Sequence, residues 1–487
     1  MRGGRVFLVK ECPICGRSEV LIYGNASRYR DRRELGAADG FGGCALDCLR
    51  CSHRQAPGIV FVDVTNRCNL TCSVCMNNVP SMGFVYEPPL DYFRRIFDHL
   101  AERDPLPSLD IFGGEPTVRE DLFDVIGLAH SYGFTTRVAT NGLKLADEDY
   151  CHRLVDTGTD ILFSYDGSNA DAYRIIRGDA RWLDVKRRAL DNLATHGHAR
   201  VVIVALIVKG HTDDQIPALL DFCHERRDHV HGLLLAQLAH TWEDTPGSSP
   251  FGRIRADEIE AVVERALGAT AREFIPAGFP GRLSAIGACL GVAGSAFAGA
   301  HPDCETTCLA VSDGCKYVAF SHVLRRSLPA VARGFLAAEH RLARGGPPSP
   351  DGAGTPRRWM QMAQLAPLLA RSVRVSRLFR GAGPSRLRHV LGFAGDLIGG
   401  AGVGRAVARH TRLGEALTVR VMPIQDDATV QTDRTAACPV VSAYVDPQTA
   451  DVKFMSSCAW RYHNRDLLKR IARAHPRREP APARRGP

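Results

Sequence analysis

Apolar and polar residues follow two alternating patterns between residue 58 and about residue 240. Short apolar runs that end in glycine or polar turn residues are typical of buried strands, and this range contains GIVFVDV, SLDIFGG, GFTTRVATNG, DILFSYDG, RVVIVALIVKG and GLLLAQLA. The segments between them, such as YFRRIFDHLAER and DLFDVIGLAHSYG, repeat apolar residues at the 3.6-residue period of an amphipathic helix. These six strand–helix units predict an α/β fold, in which a parallel sheet curls into a partial (βα)6 barrel.

The length and the cysteine content set the context for any chemistry. The chain has 487 residues, of which 45% are hydrophobic, a size that suits roughly two to four domains. MRGGRVFLVKEC at the start lacks the long apolar run of an export signal, and no stretch of roughly 18 uncharged apolar residues follows. We therefore expect a cytoplasmic protein, in which the 16 cysteines are reduced and serve metal binding rather than disulfides.

Three cysteines stand directly after the first predicted strand, in VTNRCNLTCSVCMNN: Cys68, Cys72 and Cys75. The C-terminal ends of the strands are where α/β barrels carry their chemistry. Three thiolates suit a [4Fe-4S] cluster that keeps one iron open for a further ligand, whereas four close the cluster. A zinc knuckle that lacks one ligand and a disulfide are the structural alternatives.

CNLTCSVC resembles the CxxxCxxC signature of the radical S-adenosylmethionine (SAM) enzymes, although Val74 replaces their usual aromatic residue. IFGGEPTVREDL, ATNGLKL and FSYDGSNADAYRIIRG after the next strands match that family too. The resemblance implies that the triplet binds the cluster, where SAM is cleaved to methionine and a 5′-deoxyadenosyl radical that abstracts hydrogen from carbon. It assigns contacts with SAM to Gly113, Gly114, Glu115, Asn141, Ser164, Asp166 and Arg177. Each of these alone is also a common turn or capping residue.

The same motifs, in order and spacing, resemble the radical SAM branch that contains archaeal tetraether synthase, bacterial enzymes for membrane-spanning lipids and relatives described as pterin methylases. This resemblance implies a carbon–carbon coupling of lipid alkyl chains, with a lipid substrate at the membrane surface and ferredoxin or flavodoxin as reductant. A radical SAM methylase of a small heterocycle, a peptide-modifying radical SAM enzyme and a non-enzymatic iron–sulfur or zinc scaffold are the alternatives.

Further cysteines lie on both sides of the predicted barrel. The N-terminal group resembles an auxiliary iron–sulfur site of that branch, with a zinc ribbon or another mononuclear zinc or iron site as the alternative: Cys12, Cys15, Cys44, Cys48 and Cys51. By the same resemblance, a C-terminal group implies a closed auxiliary cluster that draws the C-terminal segment over the barrel mouth: Cys289, Cys304, Cys438 and Cys458. We thus expect one or two auxiliary [4Fe-4S] clusters. Cys308 and Cys315 stay unassigned, and Cys151 and Cys223 are predicted to be core thiols.

Positive charge is concentrated in residues 325–420, which contain 17 Arg, no Lys and 4 acidic residues, a net charge of +13 against +9 for the whole chain. Apolar residues rather than polar base readers accompany the arginines, so we expect no nucleic acid partner. The pattern favours an amphipathic segment at the inner membrane face, with a solvated helical insertion as the alternative. Arg371, Arg374, Arg377 and Arg380 step by three along a predicted helix.

These patterns predict six regions. They are a Cys-rich N-terminal domain (1–55), the radical SAM partial barrel (56–245), an auxiliary-cluster region (246–324), the basic insertion (325–420), a cluster-closing segment (421–471) and a disordered tail (472–487).

Overall fold

The structure of the chain is a computed structural model. It describes residues 1–36, 47–50, 53, 55–197, 199–240, 251–292, 294–344, 356–399 and 401–476. Cys44 and Cys51, two of the predicted N-terminal ligands, lie outside the described residues.

The strands of the described residues are β1 (Val6–Cys12), β2 (Gly16–Tyr23), β3 (Ile59–Thr65), β4 (Ser108–Gly113), β5 (Thr136–Thr140), β6 (Asp160–Ser164), β7 (Val201–Ile207), β8 (Val230–Gln237), β9 (Ile275–Pro276), β10 (Thr306–Ser312), β11 (Tyr317–Ala319), β12 (Leu417–Met422), β13 (Val440–Val445) and β14 (Val452–Ser456).

The helices are α1 (Ala26–Leu35), α2 (Leu90–Ala101), α3 (Leu122–Ser131), α4 (Glu148–Asp156), α5 (Ala170–Arg177), α6 (Trp182–His196), α7 (Ile216–Glu225), α8 (Ala256–Ala266), α9 (Ser284–Leu290), α10 (Leu328–Arg344), α11 (Pro356–Ser372), α12 (Val375–Leu378), α13 (Gly383–Ile398), α14 (Val403–His410), α15 (Thr432–Ala436) and α16 (Ser457–Ala474).

The six strands predicted from the sequence are β3 to β8, and they lie side by side in chain order. Every neighbouring pair among them is parallel. Parallel neighbours need crossover connections, which the amphipathic helices between the strands provide. The predicted α/β architecture is confirmed, and the C-terminal ends of all six strands meet at one edge.

The sheet extends beyond these six strands at both edges. β12 pairs in parallel with β8 and in antiparallel with β10, while β13 pairs in parallel with β3 and carries β14. The predicted boundary at residue 420 therefore falls inside β12, and the segment from 421 contributes two further strands. The apolar pattern of a short strand does not reveal a partner that is more than a hundred residues away, so the sequence analysis missed these pairings.

The two faces of the sheet differ in burial. β5, β6, β7 and β12 alternate between buried and half-buried residues. The buried residues of one face, such as Val60, Ile203 and Val419, are 0% exposed and belong to the main core. The half-buried residues share the other face, which we call the half-buried face of the sheet. Cys151 and Cys223 are buried in the main core, as predicted.

The basic region (325–420) forms several separate helices rather than one amphipathic helix. α10 packs against the body through buried residues such as Val331 and Ala332, and the chain leaves helical geometry between α11, α12 and α13. The arginines that step by three along the sequence therefore do not share one helix: Arg371, Arg374, Arg377 and Arg380. The carbonyl of His322 accepts hydrogen bonds from Arg374 and Arg377 at 3.4 and 3.2 Å. Among the described residues, no helix has the length and apolarity needed to cross a bilayer.

Candidate active site

The cysteine triplet lies in the loop that leaves β3 at the C-terminal edge of the sheet. Cys68, Cys72 and Cys75 are free, half-buried thiols. The backbone N–H of Leu70 donates to the sulfur of Cys68 at 3.4 Å. Val74, at the position where an aromatic residue is usual, packs against the apolar cluster around Ile176.

The two glycines after β4 fix the position of this loop. The N–H of Gly114 donates to the carbonyl of Thr65 at 2.7 Å, and the N–H of Glu115 donates to the carbonyl of Arg67 at 2.8 Å. A Cβ atom on Gly113, whose φ is +132°, would stand 2.2 Å from the Thr65 oxygen, and one on Gly114 would stand 2.3 Å from the Arg67 oxygen. Only glycine permits this backbone approach, which joins the second strand end to the start of the triplet loop.

Glu115 is 1% exposed and organises the next strand end. Its Oε1 accepts hydrogen bonds from the backbone and hydroxyl of Thr117 and from the hydroxyl of Thr140, and its Oε2 accepts one from the N–H of Asn141 at 2.6 Å. Burial raises the pKa of Glu115, while these donors oppose the rise. The predicted contact of this carboxylate with the SAM ammonium stays a prediction, and its observed partners belong to the protein.

Asn141 reaches the triplet from the end of β5. Its Nδ2 lies 4.0 Å from the sulfur of Cys68 and donates to Oδ1 of Asn69 at 2.7 Å. The Glu115 carboxylate holds the backbone of Asn141 in this position. The residue that was predicted to contact SAM therefore also faces a predicted cluster ligand.

Arg177, at the end of α5, connects the predicted SAM residues with the triplet. It donates two hydrogen bonds to Asp166, at 2.8 and 2.9 Å, and one to the hydroxyl of Ser164 at 3.3 Å. Its Nη1 lies 3.7 Å from the sulfur of Cys72. Asp166 is 0% exposed and also accepts from the N–H of Leu206. Three predicted residues from different elements thus form one hydrogen-bonded group beside the triplet.

Lys186 is a residue of this site that the sequence analysis missed. It lies on α6, is 0% exposed, and its Nζ donates to the carbonyl of Ser164 at 2.6 Å. Burial, and then the charge of Arg177, lower the pKa of Lys186 to about 8. The available signal was a lysine at an apolar position of the helical period in WLDVKRRAL, where a solvated residue is not expected.

The thiol environment suits an iron–sulfur cluster. Burial raises the pKa of the Cys68 thiol to about 12 and also raises the pKa of Cys75, so these thiolates need a positive charge beside them. Coordinated iron provides such charge, because thiols that bind metal ions lose their protons. Hydrogen-bond donors of Asn141 and Arg177 already face two of the three sulfurs.

The cysteine triplet does not have the arrangement of a site for a single metal ion. Within the described part of the chain, no group of three His, Cys, Asp or Glu side chains converges as the ligands of one metal ion do. In a [4Fe-4S] cluster each thiolate binds a different iron, so the sulfurs stand further apart than around a single ion.

The Radical SAM superfamily model matches residues 62–223, from within β3 to within α7. This range contains the triplet and every predicted SAM contact. Residues 62–223 form a radical SAM domain. This match is the one that the triplet and the strand-end motifs predict.

Two relatives with assigned activities are similar over part of their length. The 7,8-dihydro-6-hydroxymethylpterin dimethyltransferase of Methanocaldococcus jannaschii is 31% identical over 287 residues, which cover 56% of this chain and 56% of that protein. The mycofactocin maturase MftC of Mycolicibacterium smegmatis is 29% identical over 167 residues, 34% of this chain and 42% of that protein. The chain therefore spans about half the length of these curated relatives.

Solved structures resemble the chain more weakly. SuiB of Streptococcus suis is 18% identical with a TM-score of 0.33, over 43% of this chain and 47% of that chain. A radical SAM methyltransferase from Sphaerobacter thermophilus is 15% identical with a TM-score of 0.34, over 57% of this chain and 75% of that chain.

The N-terminal cysteines begin in the hairpin of β1 and β2. Cys12 ends β1, and the N–H of Cys15 in the turn donates to the Cys12 sulfur at 3.3 Å. This and a further backbone hydrogen bond lower the pKa of Cys12. Cys48 is 5% exposed. The ligand roles of these cysteines beside the radical SAM domain stay predictions.

Electrostatic interactions link three of the four predicted C-terminal cysteines. Burial raises the pKa of Cys438, and the neighbouring thiols of Cys304 and Cys458 raise it further. Burial also raises the pKa of Cys304, and the positive charge of the nearby Arg434 guanidinium partly offsets this rise. We call Cys304, Cys438 and Cys458 the C-terminal trio. Cys289 is buried on α9, and its role as the fourth ligand stays a prediction.

The segment that carries Cys438 and Cys458 also contacts the radical SAM domain near the triplet. The indole N–H of Trp460 donates to Oδ2 of Asp63 on β3 at 2.7 Å, and Arg465 donates to the carbonyl of Ser81 at 3.1 Å. Ser81 lies in the loop that follows the triplet. α16 is therefore joined both to the strand that leads into the triplet and to the loop that leaves it.

Proposed function

We propose that the chain cleaves SAM reductively at a [4Fe-4S] cluster bound by Cys68, Cys72 and Cys75, and activates a C–H bond of a substrate at the half-buried face of the sheet. The observation that carries this proposal is the position of Arg177, which hydrogen-bonds Ser164 and Asp166 and lies 3.7 Å from the Cys72 sulfur. When bound, the cluster supplies the electron and the open iron site that SAM cleavage requires.

The residues around the cluster orient SAM and exclude water. Ser164 and Arg177 offer hydroxyl and guanidinium donors to the SAM carboxylate, and Asp166 holds the guanidinium in place. The test is anaerobic incubation of the reconstituted protein with SAM and a ferredoxin or flavodoxin reductant, which should release 5′-deoxyadenosine. No 5′-deoxyadenosine above a protein-free control would reject the proposal.

We also propose that the C-terminal trio binds an auxiliary cluster. Three neighbouring thiols with the buried Arg434 beside them support this assignment, because a guanidinium offsets the negative charge of cluster thiolates. The Trp460–Asp63 and Arg465–Ser81 contacts join this site to the radical SAM domain. An auxiliary cluster here would lie on the segment that shelters the reaction from water.

The Cys304→Ala/Cys438→Ala/Cys458→Ala variant should lose about four irons per chain after reconstitution, because one cluster loses its protein ligands. Iron and sulfide analysis against the wild-type protein measures this. The matched control is Cys315→Ala, an exposed thiol in the turn between β10 and β11, which should retain the wild-type iron content. Unchanged iron in the triple variant would contradict the auxiliary site.

For the substrate, we propose a lipid, whose alkyl chains the enzyme couples. The basic region 325–420 supports this, because exposed apolar side chains accompany its arginines: Met360, Leu369, Val375, Leu387 and Leu391. A surface with cationic and apolar residues suits an anionic membrane. Each coupling would replace two C–H bonds by one C–C bond. Two SAM molecules would accept the hydrogens as two 5′-deoxyadenosines, and the reductant would supply two electrons.

The Leu387→Ser/Leu391→Ser variant should bind anionic vesicles about 30-fold more weakly, since half-burying each leucine in lipid contributes roughly 1 kcal/mol. These side chains are 59% and 63% exposed, one helical turn apart on α13. Cosedimentation with phosphatidylglycerol vesicles measures the effect. Leu106→Ser, on an exposed loop residue outside the basic region, is the control. If the double variant bound vesicles as well as the Leu106→Ser control, Leu387 and Leu391 would not contribute to membrane binding.

A second candidate is methylation of a small heterocycle. The similarity to the pterin dimethyltransferase supports it, as do charged pairs at the half-buried face of the sheet: Arg137 with Asp110 at 2.6 Å, and Arg420 with Glu305 at 3.5 Å. Such pairs suit a polar ligand better than an alkyl chain.

Product mass distinguishes the two candidates. Coupling lowers the summed mass of the joined lipids by two hydrogens per bond, whereas methylation adds CH2 to the substrate. Incubation with native lipids and methyl-labelled SAM, analysed by mass spectrometry, measures both. A labelled methyl group in the product, with no dehydrogenated dimer, would reject coupling and favour methylation.

A further inference from the structure

Lys186 occupies an unusual position for a lysine. It is 0% exposed on α6, below the strand end that carries Ser164. Its Nζ donates to the Ser164 carbonyl at 2.6 Å and lies 3.5 Å from the Ser164 hydroxyl. The rings of Phe163 and Tyr173 lie 6.0 and 5.7 Å from the ammonium. Carbonyl and ring contacts stabilise an ammonium, but neither carries a compensating negative charge.

Within this hydrogen-bonded group, Arg177 and Lys186 are cations and Asp166 is the carboxylate. The charge of Glu115 also acts on Lys186, but the Glu115 oxygens accept hydrogen bonds from Thr117, Thr140 and Asn141. Both Asp166 oxygens are occupied by Arg177, and Oδ1 also accepts from the N–H of Leu206. A buried ammonium without an anion is destabilising. Among the described residues, the ammonium of Lys186 hydrogen-bonds Ser164 and no carboxylate, so its charge is available to a bound anion.

Two anions could be considered, the cluster thiolates and the carboxylate of SAM. Arg177 is the group that contacts the Cys72 sulfur, whereas the contacts of Lys186 lead to Ser164. A purely structural link between α6 and β6 would need only a neutral donor for the Ser164 carbonyl. The position of the charge beside the Ser164 hydroxyl favours the carboxylate.

We propose that Lys186 is a positioning residue for the SAM carboxylate: it holds Ser164 and supplies the second positive charge of that site beside Arg177. The inference rests on the proposed SAM-binding function. It adds to the predicted SAM residues a group on α6, an element that carries none of them.

The test compares ligands with and without the carboxylate. Reconstituted wild-type and Lys186→Met proteins are titrated anaerobically with SAM and with decarboxylated SAM, and dissociation constants are measured by calorimetry without reductant. Lys186→Met should weaken SAM binding by at least about tenfold, as expected for a lost hydrogen-bonded charge, and should change the binding of decarboxylated SAM by less than about twofold. Arg188→Met, an exposed neighbour on the same helix, should change neither.

Each other outcome overturns the inference. An equal loss for both ligands would assign Lys186 a structural role, and no loss for either would assign it no role. If wild-type protein binds SAM and the variant binds it equally, the inference alone fails. If wild-type protein binds no SAM, the proposed function fails with it. Lys186→Gln keeps a neutral donor for the Ser164 carbonyl and should repeat the selective loss even if the methionine variant folds poorly.

Discussion

An Asp166→Asn variant is expected to lose about 3–5 kcal/mol of stability in the radical SAM domain, because it leaves buried cations without their carboxylate. Asp166 is 0% exposed and Arg177 is 13% exposed, and two hydrogen bonds of 2.8 and 2.9 Å join them. Lys186 would then add to the unbalanced charge. In a domain of this size the loss corresponds to a decrease in melting temperature of roughly 10 °C, measurable by calorimetry.

The pH dependence of this effect has a definite sign. Burial raises the pKa of Asp166, but the charge and hydrogen bonds of Arg177 outweigh burial, so the pKa lies below its ordinary value. Because the pKa of Asp166 is lower in the folded than in the unfolded state, its ionised carboxylate stabilises the fold at every pH above the unfolded-state pKa. This stabilisation is lost as the pH falls through the folded-state pKa. The difference in the free energy of unfolding between wild-type protein and Asp166→Asn should have its full size at pH 7 and should shrink below about pH 4.

Asp171→Asn is the matched control, since Asp171 pairs with Arg174 on the same helix with both side chains exposed. Surface pairs of this kind contribute about 0.3–0.5 kcal/mol. If Asp166→Asn melted within about 2 °C of this control, the Asp166–Arg177 pair would not be the structural centre of the site.

The Gly113→Ala variant is expected to abolish cluster binding at the triplet. Its Cβ would stand 2.2 Å from the Thr65 carbonyl, on a residue with φ of +132°. Backbone atoms cannot move aside as a flexible side chain does, so the Gly114–Thr65 hydrogen bond at the start of the triplet loop should break. Strain and overpacking together should cost about 2–4 kcal/mol. Iron analysis should show a loss of about four irons per chain.

Gly127→Ala serves as the opposite case. Gly127 lies within α3, and a Cβ there would meet nothing within 4 Å. Alanine is favoured over glycine in a helix by about 0.5–1 kcal/mol, so this variant should be slightly stabilised and retain its iron. Full iron content in Gly113→Ala would show that the loop tolerates displacement from β4.

The sequence was sufficient where pattern and chemistry are local. Each of β3 to β8 coincides with a predicted apolar run, because a strand buried on a parallel sheet leaves a short hydrophobic segment between turns. The sequence predicts Asn141, Ser164 and Arg177 as contacts of one ligand, SAM. Their convergence follows from the parallel order, which places all strand ends at one edge.

The sequence was insufficient where long-range pairing decides the structure. β12 joins β8 although about 180 residues separate them, and local periodicity carries no information on such a pair. Lys186 stands at an apolar position of its helical period, but the sequence does not show that α6 buries its charge against Ser164. Arg374 and Arg377 are predicted to follow one helix, but that helix ends at Ser372 and both side chains donate to the His322 carbonyl.

The most direct test of the account is 5′-deoxyadenosine release from SAM by anaerobically reconstituted Cys68→Ala protein, beside wild-type protein and the Cys315→Ala control. Cys68 is half-buried at the end of β3 and faces Asn141, whereas Cys315 is exposed in the turn between β10 and β11. The account predicts release by the wild type and the control and none by Cys68→Ala. Undiminished release by Cys68→Ala would contradict the assignment of the triplet as the ligand set of the SAM-cleaving cluster.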